Sequence, residues 1–363
     1  MWEMKLWDTE AVAEASELHK KGLGLAAASK AEGTMGNHFS YLFGSGASVK
    51  TFAEKVLYVE LHEIMPPGKG EGMSVLVVGM YLVWASGRLA VSSLANYVNA
   101  IAQWHKAKRI PREEWPTEHP SISERLAGLK RVRGEKDGGR GAKAPISIGL
   151  LGVMKGYWEE RAKKDPEVKL LAMKQIVLLV VGFFGLLRGA ELVQLRLTDM
   201  EVYDWGVKVR IRKSKADQYK KGADVRLAAV SKSGFEIRKL VEEYVGVLRA
   251  GGRGDEDFLF PGWDRDTRTL GSKGLKKGSV ADVVRDTLVG AQKMAKELGG
   301  DELGFLDEKT FAAHSLRRGG LNQGRRAGNS KFQSKTHGRW RSDAIEAYDE
   351  LGLDEQLAYT SAM

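Results

Sequence analysis

Between His314 and Tyr348 the chain reads HSLRRGGLNQGRRAGNSKFQSKTHGRWRSDAIEAY. From Lys309 to Arg341 it carries nine Lys/Arg and no Asp or Glu. Such a run is either a solvated face or a surface for a polyanion. More than charge is present. His314 and Arg317 stand at i and i+3, which on a helix is one face. Gly319 and Gly320 follow, and glycines let a backbone come close to a neighbour or a ligand. His337-Gly-Arg339-Trp340 comes next, and Tyr348 lies eight residues past Trp340. Asp343 and Glu346 can form a variant capping box and Gly352 can end the helix, which puts Tyr348 inside a short helix. A proton donor, a fixed cation and a phenol on a basic surface are suited to chemistry on a phosphodiester.

Two further stretches carry groups of this kind. The segment Pro166–Leu187 is nearly all apolar and reads as a buried helix. It runs straight into Gly-Leu-Leu-Arg188-Gly-Ala-Glu191-Leu-Val-Gln-Leu. An arginine there needs a counter-charge, because an uncompensated buried charge is costly. Glu191 is the near candidate, and a local ion pair holding a helix junction is the plain alternative. Trp205–Ile211 alternates apolar and basic residues, a strand signature, and Asp224–Ala229 offers the returning strand. From Val207 to Gly222 there are seven Lys/Arg and one acid. A basic hairpin tip either discourages edge aggregation or enters a nucleic-acid groove.

The elements that must position these groups follow the periodicities. Residues 1–30 are expected to be helical, with Ala-rich periodicity from Glu10 to Lys20 and breaks at Gly22 and Gly24, and a further helical candidate covers Ser29–Phe43 with Phe39, Leu42 and Phe43 inward. Phe52–Met65 is a third, stopped by Pro66-Pro67. Gly72–Ser86 is apolar and expected to be buried. Ser92 or Ser93 is expected to cap an amphipathic helix through Lys106, with Leu94, Tyr97, Val98, Ile101 and Trp104 inside. A short helix ending at Leu126–Leu129 precedes a Gly-rich basic stretch. Arg125–Lys143 holds seven Lys/Arg and two acids; it is a flexible connection, a strap along phosphates, or both. Ser147 caps a helix to Lys163. Helices are expected over Gly234–Arg249 and Ser279–Leu298, a short strand at Phe258–Pro261, and a basic, polar loop over Arg265–Lys277.

Composition narrows the classes. The 363 residues suit two domains, with 43% hydrophobic and 29% charged residues. The net charge is +10 with pI about 9.4, which favours a polyanionic partner without requiring one. There is no cysteine, so disulfides, thiolate metal sites and cysteine nucleophiles are excluded. No apolar run reaches membrane-spanning length, and the N-terminus lacks the regions of a signal peptide. No phosphate-binding glycine loop and no carboxylate cluster for Mg²⁺ stands out.

Taken in order, four motifs resemble those of the tyrosine recombinase (phage integrase) family. They are Gly-Leu-Leu-Arg188-Gly-Ala-Glu191-Leu-x-x-Leu, Ser-Lys215-Ala-Asp-Gln on a hairpin, His314-x-x-Arg317, and Gly-Arg339-Trp340 followed by Tyr348. Trp84–Pro111 is similar to part of that family's helical core-binding domain. The HSLRRGG and HGRWRSDA wording is nearer to mobile elements of the DIRS and Crypton kind. The resemblance implies a mainly α protein with a small β-sheet or hairpin (α+β). It places a helical, SAM-like core-binding domain at 1–124, a basic linker at 125–145 and a catalytic domain at 146–363.

The resemblance also implies DNA strand cleavage and rejoining, in recombination or integration, without metal, ATP or other cofactor. Tyr348 is then the nucleophile of a 3′-phosphotyrosine, with Tyr359 too far beyond the box. Arg188 and Arg317 hold the phosphate, and Lys215, or Lys213 two residues away, protonates the leaving oxygen. His314 donates to phosphate or helps deprotonate Tyr348, and Glu191 orients Arg188 or His314. Trp340 packs under the phosphate or donates its indole N–H, although Arg339 stands at the expected nine residues before the tyrosine and His337 is a further candidate. Implied DNA contacts are Lys106, Lys108, Arg109, Lys130, Arg131, Arg133, Arg212, Lys213, Arg318 and Arg339. The implied partner is double-stranded DNA, bound by a homotetramer on paired sites that is monomer or dimer when free, with no membrane. A eukaryotic host implies the nucleus, and a bacterial, archaeal or phage one the cytoplasm. Competing readings are a domesticated DNA-binding protein that does not cut and a type IB topoisomerase-like relaxing activity.

Overall fold

The computed structural model describes residues 32–66, 70–134, 143–212, 222–276, 278–297 and 306–340. The chain is mostly helical with small antiparallel sheets, and divides into two compact units, Met1–Ala142 and Lys143–Met363.

The first unit, over its described residues, is all helical: α1 (Glu32–Phe43), α2 (Val49–Phe52), α3 (Leu61–Ile64), α4 (Val75–Ser86), α5 (Val91–Ala107) and α6 (Pro120–Gly134). Its core gathers Phe52, Val78, Tyr81, Leu82, Leu94 and Ile101. Phe52 meets Tyr81 edge-on at 5.6 Å, the arrangement aromatic quadrupoles favour. Tyr81 stays in this core because its hydroxyl donates to the Ala47 carbonyl at 2.7 Å. His105 is buried and held at both nitrogens: Nε2 accepts the Met73 N–H at 3.0 Å, and Nδ1 lies 2.8 Å from the Ile101 carbonyl.

Several local readings are corrected here. Tyr58 takes a left-handed conformation at φ 56°, which breaks the expected Phe52–Met65 helix in two. The N-cap of α5 is Ala90, without a side-chain bond, because the helix begins one residue ahead of Ser92. Phe39 is 65% exposed, whereas Leu42 is buried. Leu76, Met80 and Val83 form an exposed stripe on α4. α6 runs on through the first part of the expected linker, to Gly134. The helical segment expected over residues 1–30 lies outside the described residues.

The second unit is built on α8 (Lys169–Phe184), packed against α7 (Ile148–Lys164) and α10 (Ile237–Ala250). Ser147 caps α7, accepting the Leu150 N–H at 3.1 Å. α8 is apolar on every side and is buried along most of its length, the condition for a helix with no polar face. α9 (Gly189–Leu192) follows it. A three-stranded antiparallel sheet then runs β1 (Met200–Tyr203), β2 (Gly206–Ile211), β3 (Ala223–Ala228), with Val209 opposite both Met200 and Val225. Val207, Val209 and Ile211 point into the core, as strand alternation requires. β1 was not anticipated, and neither was the hairpin of β4 (Pro261–Asp264) and β5 (Thr269–Gly274), which occupies part of the expected basic loop. α11 (Ser279–Glu297), α12 (Ala313–Arg326) and α13 (Lys331–His337) complete the unit. The end of the expected linker is fastened to α12 and the residues before it. Ala144 N–H donates to Thr310, Ile146 N–H to Ser315, and Lys143 Nζ to the Lys309 carbonyl.

One lysine stands against the grain of this core. Lys174 on α8 is 1% exposed, and its ammonium donates to the Pro261 carbonyl at 3.0 Å. Burial pushes it down to about 8. Unfolded, it binds its proton up to the ordinary lysine range, so stability must rise with pH between those values. Relative to Lys174→Met, the wild-type chain should gain on the order of 2 kcal/mol between about pH 7 and about pH 9.5. Urea unfolding of both proteins across that range measures it. Parallel pH profiles would contradict the assignment.

Candidate active site

Among the described residues, Arg188, Glu191, Arg317, His337, Arg339 and Trp340 converge on the C-terminal end of α8. The last carbonyls of a helix have no partner within it and carry the negative end of its dipole. Because α8 is buried, water is a poor substitute. After Phe184, Gly185 closes the helix and Leu186 turns the chain at φ 48°. Three consecutive carbonyls are thereby offered, and basic side chains from a distant part of the sequence take them. The Phe184 carbonyl lies 2.7 Å from His337 Nε2. The Gly185 carbonyl accepts from Arg339 Nη1 at 3.3 Å. The Leu186 carbonyl accepts from Arg317 Nη1 and from Arg339 Nη2.

Arg188 lies just past this turn. It is the N-cap of α9, and Glu191 at the third helical position reaches back to it. Glu191 Oε2 accepts the Arg188 backbone N–H at 2.9 Å, and Oε1 accepts Nη1 at 2.8 Å. Oε2 also accepts Arg339 Nη2 at 2.9 Å. Glu191 is 3% exposed. Burial acts to raise its pKa, but Arg339, the Arg188 N–H and the Arg188 guanidinium together outweigh burial and hold it below the ordinary carboxylate range. The ion-pair reading and the orienting reading of this motif therefore describe one arrangement. The partner of Glu191 besides Arg188 is Arg339 rather than His314.

Arg317 is wholly buried on α12. Its Nη2 donates to the Gly338 carbonyl at 2.6 Å, and its guanidinium lies 3.9 Å from the Trp340 ring centroid. That is cation–π distance. Trp340 packs with Leu186 and Leu321. The glycines beside these residues allow the approach. A Cβ on Gly319 would stand 1.9 Å from the Ile146 carbonyl oxygen, and one on Gly320 2.1 Å from that of Phe183. His314 is exposed in the first turn of α12. His337 is held below its ordinary value by burial first, opposed by its bond to Phe184 and assisted by Arg339 and Arg317.

The structure thus brings together Arg188, Glu191, Arg317, His337, Arg339 and Trp340. Tyr348, Lys213, Lys215 and Tyr359 lie outside the described residues. Two of the expected DNA contacts are turned inward. Arg318 is 2% exposed, and the Arg339 side chain is 10% exposed and committed to Glu191 and the α8 carbonyls. Arg212 is half exposed but already paired, at 2.6 Å with Asp199 and 3.2 Å with Glu256. Lys108 donates to the Pro66 carbonyl at 2.9 Å. Lys106, Arg109, Lys130 and Arg131 are exposed, and Arg133 lies on α6. The sequence reading missed the Leu186 turn and the second partner of Glu191. A second arginine close after a glycine was the available signal for the latter.

Glu191→Ala leaves two mostly buried guanidiniums without their shared anion. It should lower the unfolding free energy by about 3–5 kcal/mol, and Glu191→Gln by less, since an amide oxygen still accepts the Arg188 N–H. Urea unfolding at neutral pH reads both; an unchanged midpoint for the alanine variant would contradict the bridging role.

No protein-family model matches the chain. The integrase/recombinase xerD homolog of Selenomonas ruminantium is 25% identical over 240 residues, covering 62% of this chain and 63% of that protein. The chain therefore matches less than two thirds of that relative's length. The XerH site-specific recombinase, bound to its palindromic difH substrate in a post-cleavage complex, aligns with a TM-score of 0.51 and 15% identity. That alignment covers 80% of this chain and 70% of XerH. At that identity the likeness is one of fold. A lambda integrase (75–356) dimer bound to a COC′ core site aligns over 93% of this chain and 98% of its own, with a TM-score of 0.49 and 13% identity. The chain is similar in sequence to an integrase/recombinase and in fold to a site-specific recombinase.

Proposed function

We propose that this protein cuts and rejoins DNA strands through a covalent 3′-phosphotyrosine on Tyr348. The observation that carries the reading is the meeting of Arg188, Arg317 and the His337–Trp340 segment at one end of α8. Guanidiniums suit the non-bridging oxygens of a phosphate, where charge builds during transfer, and Arg317 would reach them on leaving its two carbonyls. The Tyr348 oxygen attacks phosphorus, and the bond to the 5′ oxygen breaks. That oxygen takes a proton from Lys215. Attack by a 5′-hydroxyl then reverses the step and frees Tyr348. His314, exposed one turn before Arg317, donates to the phosphate or receives the phenol proton. The phosphotyrosine keeps the energy of the phosphodiester, so neither ATP nor a metal ion enters.

Double-stranded DNA is the proposed partner, with Lys106, Arg109, Lys130 and Arg131 as phosphate contacts and four protomers acting on paired sites. A mobile element of the DIRS or Crypton kind is the proposed source of the motif wording.

One observation favours a second reading. Arg317 is 0% exposed, under Trp340 and bonded to two carbonyls. Were it to stay there with DNA bound, the protein would hold DNA without cutting it.

The test uses a pool of duplexes of randomised sequence carrying a 5′-bridging phosphorothiolate, whose thiolate leaving group cannot religate. The wild-type chain should form an adduct that survives denaturing electrophoresis, and Tyr348→Phe should form none. Lys215→Ala should fail on oxygen-bridged DNA yet react with the phosphorothiolate, because a thiolate leaves without a proton. Binding with no Tyr348-dependent adduct would establish the second reading and overturn the first.

A further inference from the structure

Glu191 divides its two oxygens between two arginines. Oε1 takes Arg188 Nη1 at 2.8 Å, while Oε2 takes Arg339 Nη2 at 2.9 Å together with the Arg188 backbone N–H. An arginine beside a carboxylate ordinarily closes on both oxygens with two parallel bonds. Arg188 does not, and the second oxygen is where Arg339 sits. The other terminal nitrogen of Arg339 bonds the Gly185 carbonyl at 3.3 Å and the His337 carbonyl at 3.2 Å. Nη2 also reaches the Leu186 carbonyl at 3.4 Å, and only a planar fork spans a carboxylate and three carbonyls at once; a lysine ammonium is a single point of charge. Arg339 also has φ 59°, a left-handed turn that lets its side chain fold back on the carbonyl of His337. Its 10% side-chain exposure argues against a direct DNA contact, whereas Arg188 keeps 20%.

From this geometry we infer that Arg339 is a positioning residue for Arg188. By occupying Oε2 of Glu191, it confines Arg188 to a one-nitrogen contact and keeps the rest of that guanidinium available to an anion. The same bonds tie the segment leading to Tyr348 to the Arg188 turn. Without Arg339, Arg188 closes on both oxygens of Glu191 and its charge is neutralised where the phosphate needs it. The inference rests on the reading that Arg188 binds the scissile phosphate.

Single-turnover adduct formation on the phosphorothiolate pool tests it, with DNA affinity and thermal unfolding measured on the same proteins. Arg339→Gln should slow adduct formation about 10²-fold with DNA affinity unchanged. The thiolate leaving group should not relieve this defect, since the loss is at the phosphate oxygens. Arg339→Lys should also be slow, because it restores charge without the fork. Adding Glu191→Gln to Arg339→Gln should restore much of the rate, because a neutral amide does not draw Arg188 into an ion pair. A purely structural role predicts the opposite: the double variant slower than either single one. Wild-type rates in Arg339→Lys, or a double variant slower than Arg339→Gln, would overturn the inference. If thermal unfolding shows that the glutamine variant has lost its fold, the lysine variant decides alone. Absence of an adduct from the wild-type chain would instead overturn the underlying reading.

Discussion

Three neighbouring carbonyls at the buried end of α8 govern the second unit. A helix apolar on all sides has to be enclosed, and its last carbonyl and the two of the turn after it are enclosed with it. Left without donors, such groups cost about 1–3 kcal/mol each. His337, Arg339 and Arg317 supply the donors. The requirement that α8 be capped thereby brings α12 and the His337–Trp340 segment to the Arg188 turn. Fold and site share one set of bonds.

That arrangement concentrates positive charge, and among the described residues a carboxylate and an indole lie against it. Glu191 stands between Arg188 and Arg339, and Trp340 lies over Arg317. Among the described residues, three guanidiniums and one carboxylate meet at this turn. Carbonyl dipoles and an aromatic face also lie against these cations and offset part of their charge. Lys174, by contrast, is a buried cation with a single carbonyl acceptor and no part in this cluster; it marks where α8 meets the β4–β5 hairpin.

Much of the second unit was legible in the sequence. Ser147 as a cap, α8 as a buried helix and the β2–β3 pairing each rest on local periodicity or a local polar group. The Arg188–Glu191 contact was legible for the same reason, being three residues apart. What escaped depends on contacts distant in sequence or on backbone torsions. Arg318 and Arg339 turn inward from a basic run, and charge in a sequence says nothing of which side chains do so. Leu186 and Tyr58 adopt left-handed torsions that their side chains do not announce. The β4–β5 hairpin is hidden by polar residues that are unlike a buried strand, since it lies mostly at the surface. Phe39 is apolar yet exposed, and periodicity alone assigns every apolar residue to the inside.

The central claim is that Arg188 and Arg317, gathered by the end of α8, act on one phosphate. A crystal structure of the chain covalently trapped on a phosphorothiolate duplex tests it most directly. The account predicts nitrogens of both guanidiniums within hydrogen-bond distance of the phosphate joined to Tyr348, with Arg339 still on Glu191. A structure with that phosphate bound elsewhere, and Arg317 still enclosed beneath Trp340, would contradict it.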